Sequence, residues 1–414
     1  MEESALIPHL FRTEYRKMIS VLCARFGIEH IEQAEDIVSE TFLAATESWS
    51  TRGVPENPQG WLYTTAKHKT LNWLKRNNFF REKLLPDLRY STPEGEEPDI
   101  DLSDRNISDS QLAMMFTVCH PSIPPESQVA LALNLLCGFG AQEIADAYLT
   151  TPAVIYKRLG RAKEKLKEAG IPVEQPSARE ISERINAVLK TIYLLFSEGY
   201  FSSSNNAVVR KELCVEAMRL NYLLVEQPLA NLPAANALLA LMCFHASRFD
   251  ARVGESGEIM LYHEQDASRW NRELIEKGEY YLNQAATGPM LTTYHIEAAI
   301  AWWHTHQEDT PEKWDNILDL YNRLLILQYS PMAALNRTYA LARARGKQPA
   351  IREAEKLALT DNFLYYSLLG NLYTGVDDEK AIRHYQTARQ LANTPSGVAA
   401  MEKYIAELTH RPVH

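Results

Sequence analysis

The sequence predicts an all-α chain. Two small helical domains are joined by an acidic linker, the second built on a helix-turn-helix, and a C-terminal α-solenoid of tetratricopeptide-like helices follows. Three observations predict this. The stretch Gly140 to Lys167 carries apolar residues at helical spacing on either side of a tight turn. Residues 86–109 hold eight acidic and two basic residues, with prolines at 86, 93 and 98 and no apolar period. Beyond Ile171–Pro176, which reads as a hinge, basic clustering disappears and amphipathic helices repeat to the end of the chain. The boundaries expected are 8–85 for the first domain, 86–109 for the linker, 110–170 for the second domain and 178–414 for the solenoid.

Taken in order, residues 8–26 form a core helix with Leu10, Tyr15, Ile19, Leu22 and Phe26 as its stripe and Gly27 ending it. From Glu29 to Trp49, Ile31, Ala34, Ile37, Val38, Phe42 and Ala45 turn inward. Outside gather Glu29, Glu32, Glu35, Asp36, Glu40 and Glu47, with no Lys or Arg through Glu47. Such a face repels DNA, and solvation alone is enough to explain it. After Pro55 and Pro58, a helix places Trp61, Leu62, Thr65, Ala66, Leu71 and Leu74 in a core. Its other surfaces carry Lys67, Lys69, Lys75, Arg76, Arg81 and Lys83, with Trp73, Phe79 and Phe80 interleaved. Ammonium groups track phosphates and rings receive unstacked bases, so this pattern fits single-stranded DNA. A core of aromatics beside merely exposed lysines fits it as well, and Trp61 is read as core.

Helical pattern resumes at Asp109, and Pro121, Pro124 and Pro125 separate two helices ahead of the helix-turn-helix. There Ile144, Ala145 and Tyr148 share a core with Ile155, Leu159, Ala162 and Leu166. Thr151 is the expected N-cap, and Pro152 takes the first helical position, where its missing N–H costs nothing. From Ala153 to Glu168 stand six basic residues (Lys157, Arg158, Arg161, Lys163, Lys165, Lys167) against two acidic ones. In a chain of formal net charge -10, that local reversal is the footprint of phosphate binding. A solvated basic face is the alternative.

The solenoid helices are expected at 178–196, 207–225, 230–249, 268–285, 291–306, 313–328 and 331–345, then as a pair from Phe363 to Leu391. In that pair Leu369, Gly370 and Tyr373, followed by Ala381, Tyr385 and Ala388, approximate one tetratricopeptide repeat. Two polar blocks, Ser197–Asn206 and His263–Arg272, either line a groove or satisfy their own backbone through Asn and Ser side chains. The acidic balance excludes a protein coated with nucleic acid. The five cysteines form no C-x-x-C pair and suit reduced, buried thiols. The N-terminus lacks a signal peptide and the longest apolar run, near Ala234 to Phe244, is too short for a bilayer, so a soluble cytoplasmic protein without a membrane partner is expected. With no P-loop, triad or paired acid and base, neither enzyme activity nor a cofactor is expected. A metal-dependent hydrolase in the tail rests only on His263, Glu264 and Asp266 with His295, His304 and His306. These have no H-E-x-x-H spacing, so no metal is expected.

Several stretches carry a family resemblance. The order A-E-D-I-V-S-E-T-F (Ala34 to Phe42) is similar to the sigma-factor segment that docks on the coiled coil of the largest polymerase subunit. The pattern P-x-x-W-L-x-x-x-A-K-x-x-x-x-x-x-L-K-R (Pro58 to Arg76) resembles the helix that melts and reads the -10 element. E-I-A, a turn, then R-L-x-R-A-K (Glu143 to Lys163) resembles the -35 helix-turn-helix of the extracytoplasmic-function group. M-F-T-V-C-H-P (Met115 to Pro121) and both polar blocks resemble a subgroup with a long tail. Asn72 stands where most relatives have Asp, Gly140 where a Ser or Thr cap is usual, and Leu149 where many have a turn glycine. The resemblance implies an alternative sigma factor whose partners are core RNA polymerase, through its largest and second-largest subunits, and promoter DNA. It implies polymerase contacts at Glu35, Asp36, Ser39, Glu40 and Phe42. For the -10 element it implies Lys67, Asn72, Lys75 and Arg76, and for the -35 element Thr151, Val154, Lys157, Arg158 and Arg161. Asp266, Arg269 and Trp270 are expected to regulate from the tail, which has a protein or ligand partner of its own. A free-standing helix-turn-helix regulator with a ligand-sensing solenoid is the rival reading.

Overall fold

The structure, a computed structural model, describes residues 3–76, 100–148, 150–201, 207–252, 260, 265–392 and 395–410. Every regular element among them is helical. The residues fall into two compact units, one up to Ala230 and one from Asn231.

In the first unit, α1 (Glu3–Phe26), α2 (Ile31–Arg52) and α3 (Pro58–Arg76) pack on one another. The inward residues of α2 are the expected ones, Ile31, Ala34, Ile37, Val38, Phe42 and Ala45, joined by Thr41 and Trp49. Helix α1 departs from a one-faced helix: Met18 through Cys23 are all buried, polar Ser20 included. Its second neighbour explains this. Helix α4 (Asp104–Val118) lies on α1 as well as α2 does. Helix α4 is itself buried from Ser110 to Val118 without interruption, the mark of a central helix rather than a surface one. It starts inside the expected linker, at Asp104, behind Ser103, whose side chain accepts from the Asn106 N–H at 3.4 Å. Linker residues 86–99 lie outside the described residues.

Helix α5 (Pro125–Leu131) runs into a wide π turn (Ala132–Leu136), and α6 (Ala141–Ala147) and α7 (Pro152–Glu168) follow. The last two helices of the unit, α8 (Ala178–Phe201) and α9 (Ala207–Glu226), pair with each other and pack on α4 and α5. Thr191 of α8 donates to Gln128 at 3.4 Å, and Ile192, Leu195 and Phe196 are fully enclosed. Each such side chain is worth about 1.5–3 kcal/mol of burial. The compact boundary therefore falls at Ala230, well beyond the hinge at Ile171–Pro176. The first two helices of the tail complete the core of the domains ahead of them.

In the second unit, α10 (Pro233–Ser247) is buried almost all round and is followed by the single turn α11 (Phe249–Arg252). Helices α12 (Arg272–Ala285) and α13 (Thr293–Trp303) pack on α10. Gly278 permits the approach of α12, since a Cβ there would sit 2.5 Å from the Phe244 ring. Each later helix then stacks on its predecessor: α14 (Pro311–Leu327), α15 (Pro331–Arg345), α16 (Lys347–Leu357), α17 (Phe363–Tyr373), α18 (Asp378–Leu391) and α19 (Pro395–Thr409). The expected repeat is present, with Leu369, Tyr373, Ala381, Tyr385 and Ala388 in one core and Gly370 directly under the Tyr385 ring. Two helices, α16 and α19, were not expected from the sequence. Both open on turn-like residues, Gly346 and Pro349 in one case and Pro395 and Gly397 in the other. Within a first turn a backbone N–H would have no intrahelical partner anyway, so the helix tolerates proline, which lacks one.

Candidate nucleic-acid interface

The outer face of α2 is acidic and open around Asp36, Ser39 and Glu40, all exposed. Ser39 shares a 3.2 Å hydrogen bond with the Tyr15 hydroxyl, and Glu40 accepts from Lys69 of α3 at 3.0 Å. Two expected contacts stand elsewhere. Phe42 is 5% exposed and meets the Phe11 ring edge-on at 5.0 Å, because its spacing from Val38 and Ala45 puts it on the core side. Glu35 is half-buried and accepts two hydrogen bonds from Lys163 of α7, at 2.6 and 2.8 Å. In the same stretch Leu43 is 60% exposed. Sequence reasoning passed it over, although three residues from Glu40 and four from Ser39 puts it on their face.

On α3, Thr64, His68 and Asn72 form an exposed stripe at i, i+4 spacing, with Lys67 and Lys69 half-buried on its flanks. His68 belongs to this face although the sequence reading omitted it. Trp61 packs edge-on against Trp49 at 5.5 Å, and Trp73 against His30 at 5.7 Å, so both rings support the domain. The side chains of Lys75 and Arg76, and residues Phe79, Phe80, Arg81 and Lys83, lie outside the described ones.

Of the expected helix-turn-helix core, Ile144, Ala145, Ile155, Leu159, Ala162 and Leu166 are buried, while Tyr148 is half-buried. Glu143 reaches back to accept from the Gly140 N–H at 2.8 Å, so the glycine at the cap position is served by the side chain three residues on. Thr151 sits at the N-cap of α7 with extended backbone, but its side chain makes no capping bond. The first turn of α7 carries no acidic residue, leaving the positive helix end open to an anion. Around the helix, at about 100° per residue, the charges divide. Thr151, Val154, Lys157 and Arg161 are exposed, while Arg158 is half-buried with its guanidinium 5.9 Å from the Tyr148 ring centre. Lys163 and Lys167 lie on the opposite flank and bond to Glu35 and Glu32 of α2, the latter pair at 3.0 Å.

Comparison with known proteins follows this division. The Sigma-70 region 2 family matches residues 10–80, which hold most of α1 and all of α2 and α3. RNA polymerase sigma factor YlaC of Bacillus subtilis is 30% identical over 19% of this chain and 43% of its own length. ECF RNA polymerase sigma factor SigE of Mycolicibacterium smegmatis is 25% identical over 34% of this chain and 52% of its own. Residues 10–80 are a sigma-70 region 2, and its likeness to these two factors makes the chain an alternative sigma factor. This alternative sigma factor also carries a family of unknown function, DUF6596, at residues 184–286. An uncharacterized protein of Rhizobium meliloti, R00370, is 32% identical over 92% of both chains, so the sigma domains and the tail occur together in that relative. No solved structure matches the chain.

In the tail of the sigma factor, Asp266 and Arg269 are exposed and only Trp270 is buried. Among the described residues of that block, Ser268, Asn271 and Arg272 are exposed as well. Asp266 caps a short turn by accepting from the Ser268 N–H and hydroxyl at 2.9 and 2.7 Å, which holds its carboxyl below the usual range. Asn271 caps α12 through the Leu274 N–H at 3.0 Å. Residues 202–206, 263 and 264 of the two polar blocks lie outside the described ones. His295 is committed to Thr292 and the Ala285 carbonyl. Among the described residues no group of three or more His, Cys, Asp or Glu could hold a metal. Nor is any helix among them long and apolar enough to cross a membrane. All five cysteines are buried and free; burial pushes the thiols of Cys119, Cys137 and Cys243 up to about 12.

Proposed function

We propose that this sigma factor holds core RNA polymerase through the outer face of α2, with Asp36, Ser39, Glu40 and Leu43 against the largest subunit. The stripe of Thr64, His68 and Asn72 on α3, with Lys67 and the basic last turn, takes the non-template strand of the -10 element. Helix α7 enters the -35 major groove by its N-terminal half, where Val154 and Lys157 reach base edges and Arg161 holds phosphate. The second-largest subunit supports the helix-turn-helix domain, and the tail regulates output through a protein or ligand partner. Strand opening is driven by binding and needs no covalent step.

The observation that carries the reading is the separation of charge within residues 10–80. Acid stands open on α2 while the neighbouring α3 offers base and amide. An acidic face adjoining a DNA surface would weaken DNA binding unless another protein covered it. The test is Asp36→Lys with Glu40→Lys. Both positions are exposed, so the fold persists, and co-purification with core polymerase is expected to fall at least ten-fold. Undiminished co-purification would sink the assignment.

A further inference from the structure

The helices of the second unit turn alternately at two edges, and the edges differ in chemistry. One edge gathers the turns α12–α13, α14–α15 and α16–α17. Ile296, near the start of α13, packs with Leu324 and Ala333 at the second of these turns. Leu335 of α15 shares a core with Leu357, Phe363 and Tyr365 at the third. The other edge gathers the turns α13–α14, α15–α16 and α17–α18, where Arg343 pairs with Asp309 and Lys347 donates to the Thr374 carbonyl at 2.6 Å. Segments of equal length show the contrast. On this second edge, 304–310, 343–349 and 374–380 hold nine Asp, Glu, Lys and Arg residues. On the first edge, 286–292, 326–332 and 358–364 hold one, Asp361, in a chain that is 23% charged. What stands open there is apolar instead. Met290 is 76% and Ile326 84% exposed, and Leu291, Tyr329, Met332 and Leu364 are exposed with them.

A soluble monomer seldom leaves so much apolar surface in one place. Together these six residues expose roughly 700 Å², close to the area of about 800 Å² that each partner gives to a standard interface. Interface centres are depleted of charge and enriched in Tyr and Met, and those between identical subunits are more apolar than most. Charge also argues for the occupant. An edge with a single acid and no base gives a partner of either sign nothing to select. A second copy needs only the same apolar surface, because a two-fold interface is self-complementary. Copies of a chain with a net charge of -10 repel one another, and this edge is where they approach with least repulsion. We infer that a second copy of this chain docks here, so that the sigma factor is a dimer joined through the α12–α13, α14–α15 and α16–α17 turns of its tail. The inference rests only on the reading that the tail has a protein partner. Its test reads mass rather than transcription, so it can fail while the sigma reading stands.

Sedimentation equilibrium of the full chain tests it. Over micromolar concentrations the wild-type mass should rise from 47.1 kDa to twice that value. Met290→Lys with Ile326→Lys sets charge into the dry edge, and both positions are open enough that thermal unfolding should not change. The dissociation constant of this variant should rise at least ten-fold, while Val376→Lys, an exposed position on the charged edge, leaves it as it was. No charge pair spans the interface, so added salt should not weaken the dimer. A wild-type chain that stays monomeric overturns the inference. So does a dimer that the double variant leaves intact, that Val376→Lys dissociates equally, or that salt dissolves. A second measurement needs no variant. In hydrogen exchange of the wild-type chain, peptides covering 286–292 and 326–332 should gain protection as concentration rises while 374–380 does not, and exchange independent of concentration also overturns the dimer.

Discussion

Arg16→Met tests whether the buried Arg16–Glu216 ion pair, which joins α1 to α9, rather than the more open α2–α7 pairs, holds the first unit together. Methionine keeps the length of the apolar stem and removes the cation. In the wild-type chain, burial first and then Arg219 push the Arg16 guanidinium below its ordinary pKa, and Glu216 pulls it back. It remains a cation, since arginine does not lose its proton in proteins. Removing one partner of a buried pair costs about 3–5 kcal/mol. Glu216 keeps Arg219 at 2.8 Å, so the lower end, about 3 kcal/mol, applies here. Glu32 and Lys167 have side chains 60% and 27% exposed, and such a pair is worth at most about 1 kcal/mol. The assay is urea unfolding of the full chain, with hydrogen exchange read in peptides covering 10–26 and 207–226 to localise the loss. Arg16→Met combined with Glu216→Gln should cost about 2 kcal/mol less than the sum of the single changes, because the two side chains act on each other. A single-variant cost below about 1 kcal/mol, or strict additivity, would refute the reasoning.

Five further outcomes are expected. Gly370→Ala puts a Cβ 2.6 Å from the Tyr385 ring and should cost the second unit about 1–3 kcal/mol in thermal unfolding. Gly160→Ala on α7 meets nothing within 4 Å and should instead stabilise by about 0.5–1 kcal/mol; a loss there would mean the helix face is not open. Burial, then Arg248 and Lys313, push the His304 imidazole down to about 3, and burial with Arg248, Arg252 and His304 pushes His245 well below its ordinary value. Unfolded, both bind a proton near pH 6.5, so the unfolded state holds more protons below that pH. Stability of the second unit is then complete above about 6.5 and falls beneath it, by up to about 1.4 kcal/mol per pH unit for each histidine. Calorimetry between pH 7.5 and 5 reads the slope, and a flat or rising profile on acidification contradicts it. On the recognition helix, Arg161→Ala should weaken all promoters alike and flatten the log-log salt dependence by about one unit. Lys157→Ala should change which -35 base is preferred in a selection from random sequences, and an unchanged preference would remove it from base reading.

Much of this protein is decided within short stretches of sequence. Helical spacing alone places Ile31 to Ala45 inward on α2 and Ile155 to Leu166 inward on α7, because burial at i, i+3 and i+4 needs no knowledge of the partner surface. The exposed acids of α2 and the exposed bases at the start of α7 follow from the same periodicity, read on the opposite face. Leu43 and His68 were legible by that rule, but a leucine among acids and a histidine among lysines carry little signal in composition. Phe42 lies in a motif that resembles a docking segment, yet the same spacing already makes it a core residue, and Phe11 and Tyr15 stand around it. What neighbours decide was not legible. Glu35 and Glu40 are alike in sequence, and only the position of α7 makes one a partner of Lys163 and leaves the other to Lys69. The domain boundary is the largest case. Composition changes at Ile171–Pro176 because basic clustering ends there, but α8 and α9 bury their apolar faces on α4 and α5, 63 residues apart in sequence for Thr191 and Gln128. Periodicity records which face of a helix is apolar. Which other helix covers that face depends on contacts far apart along the chain, and those were decided only by the tertiary structure.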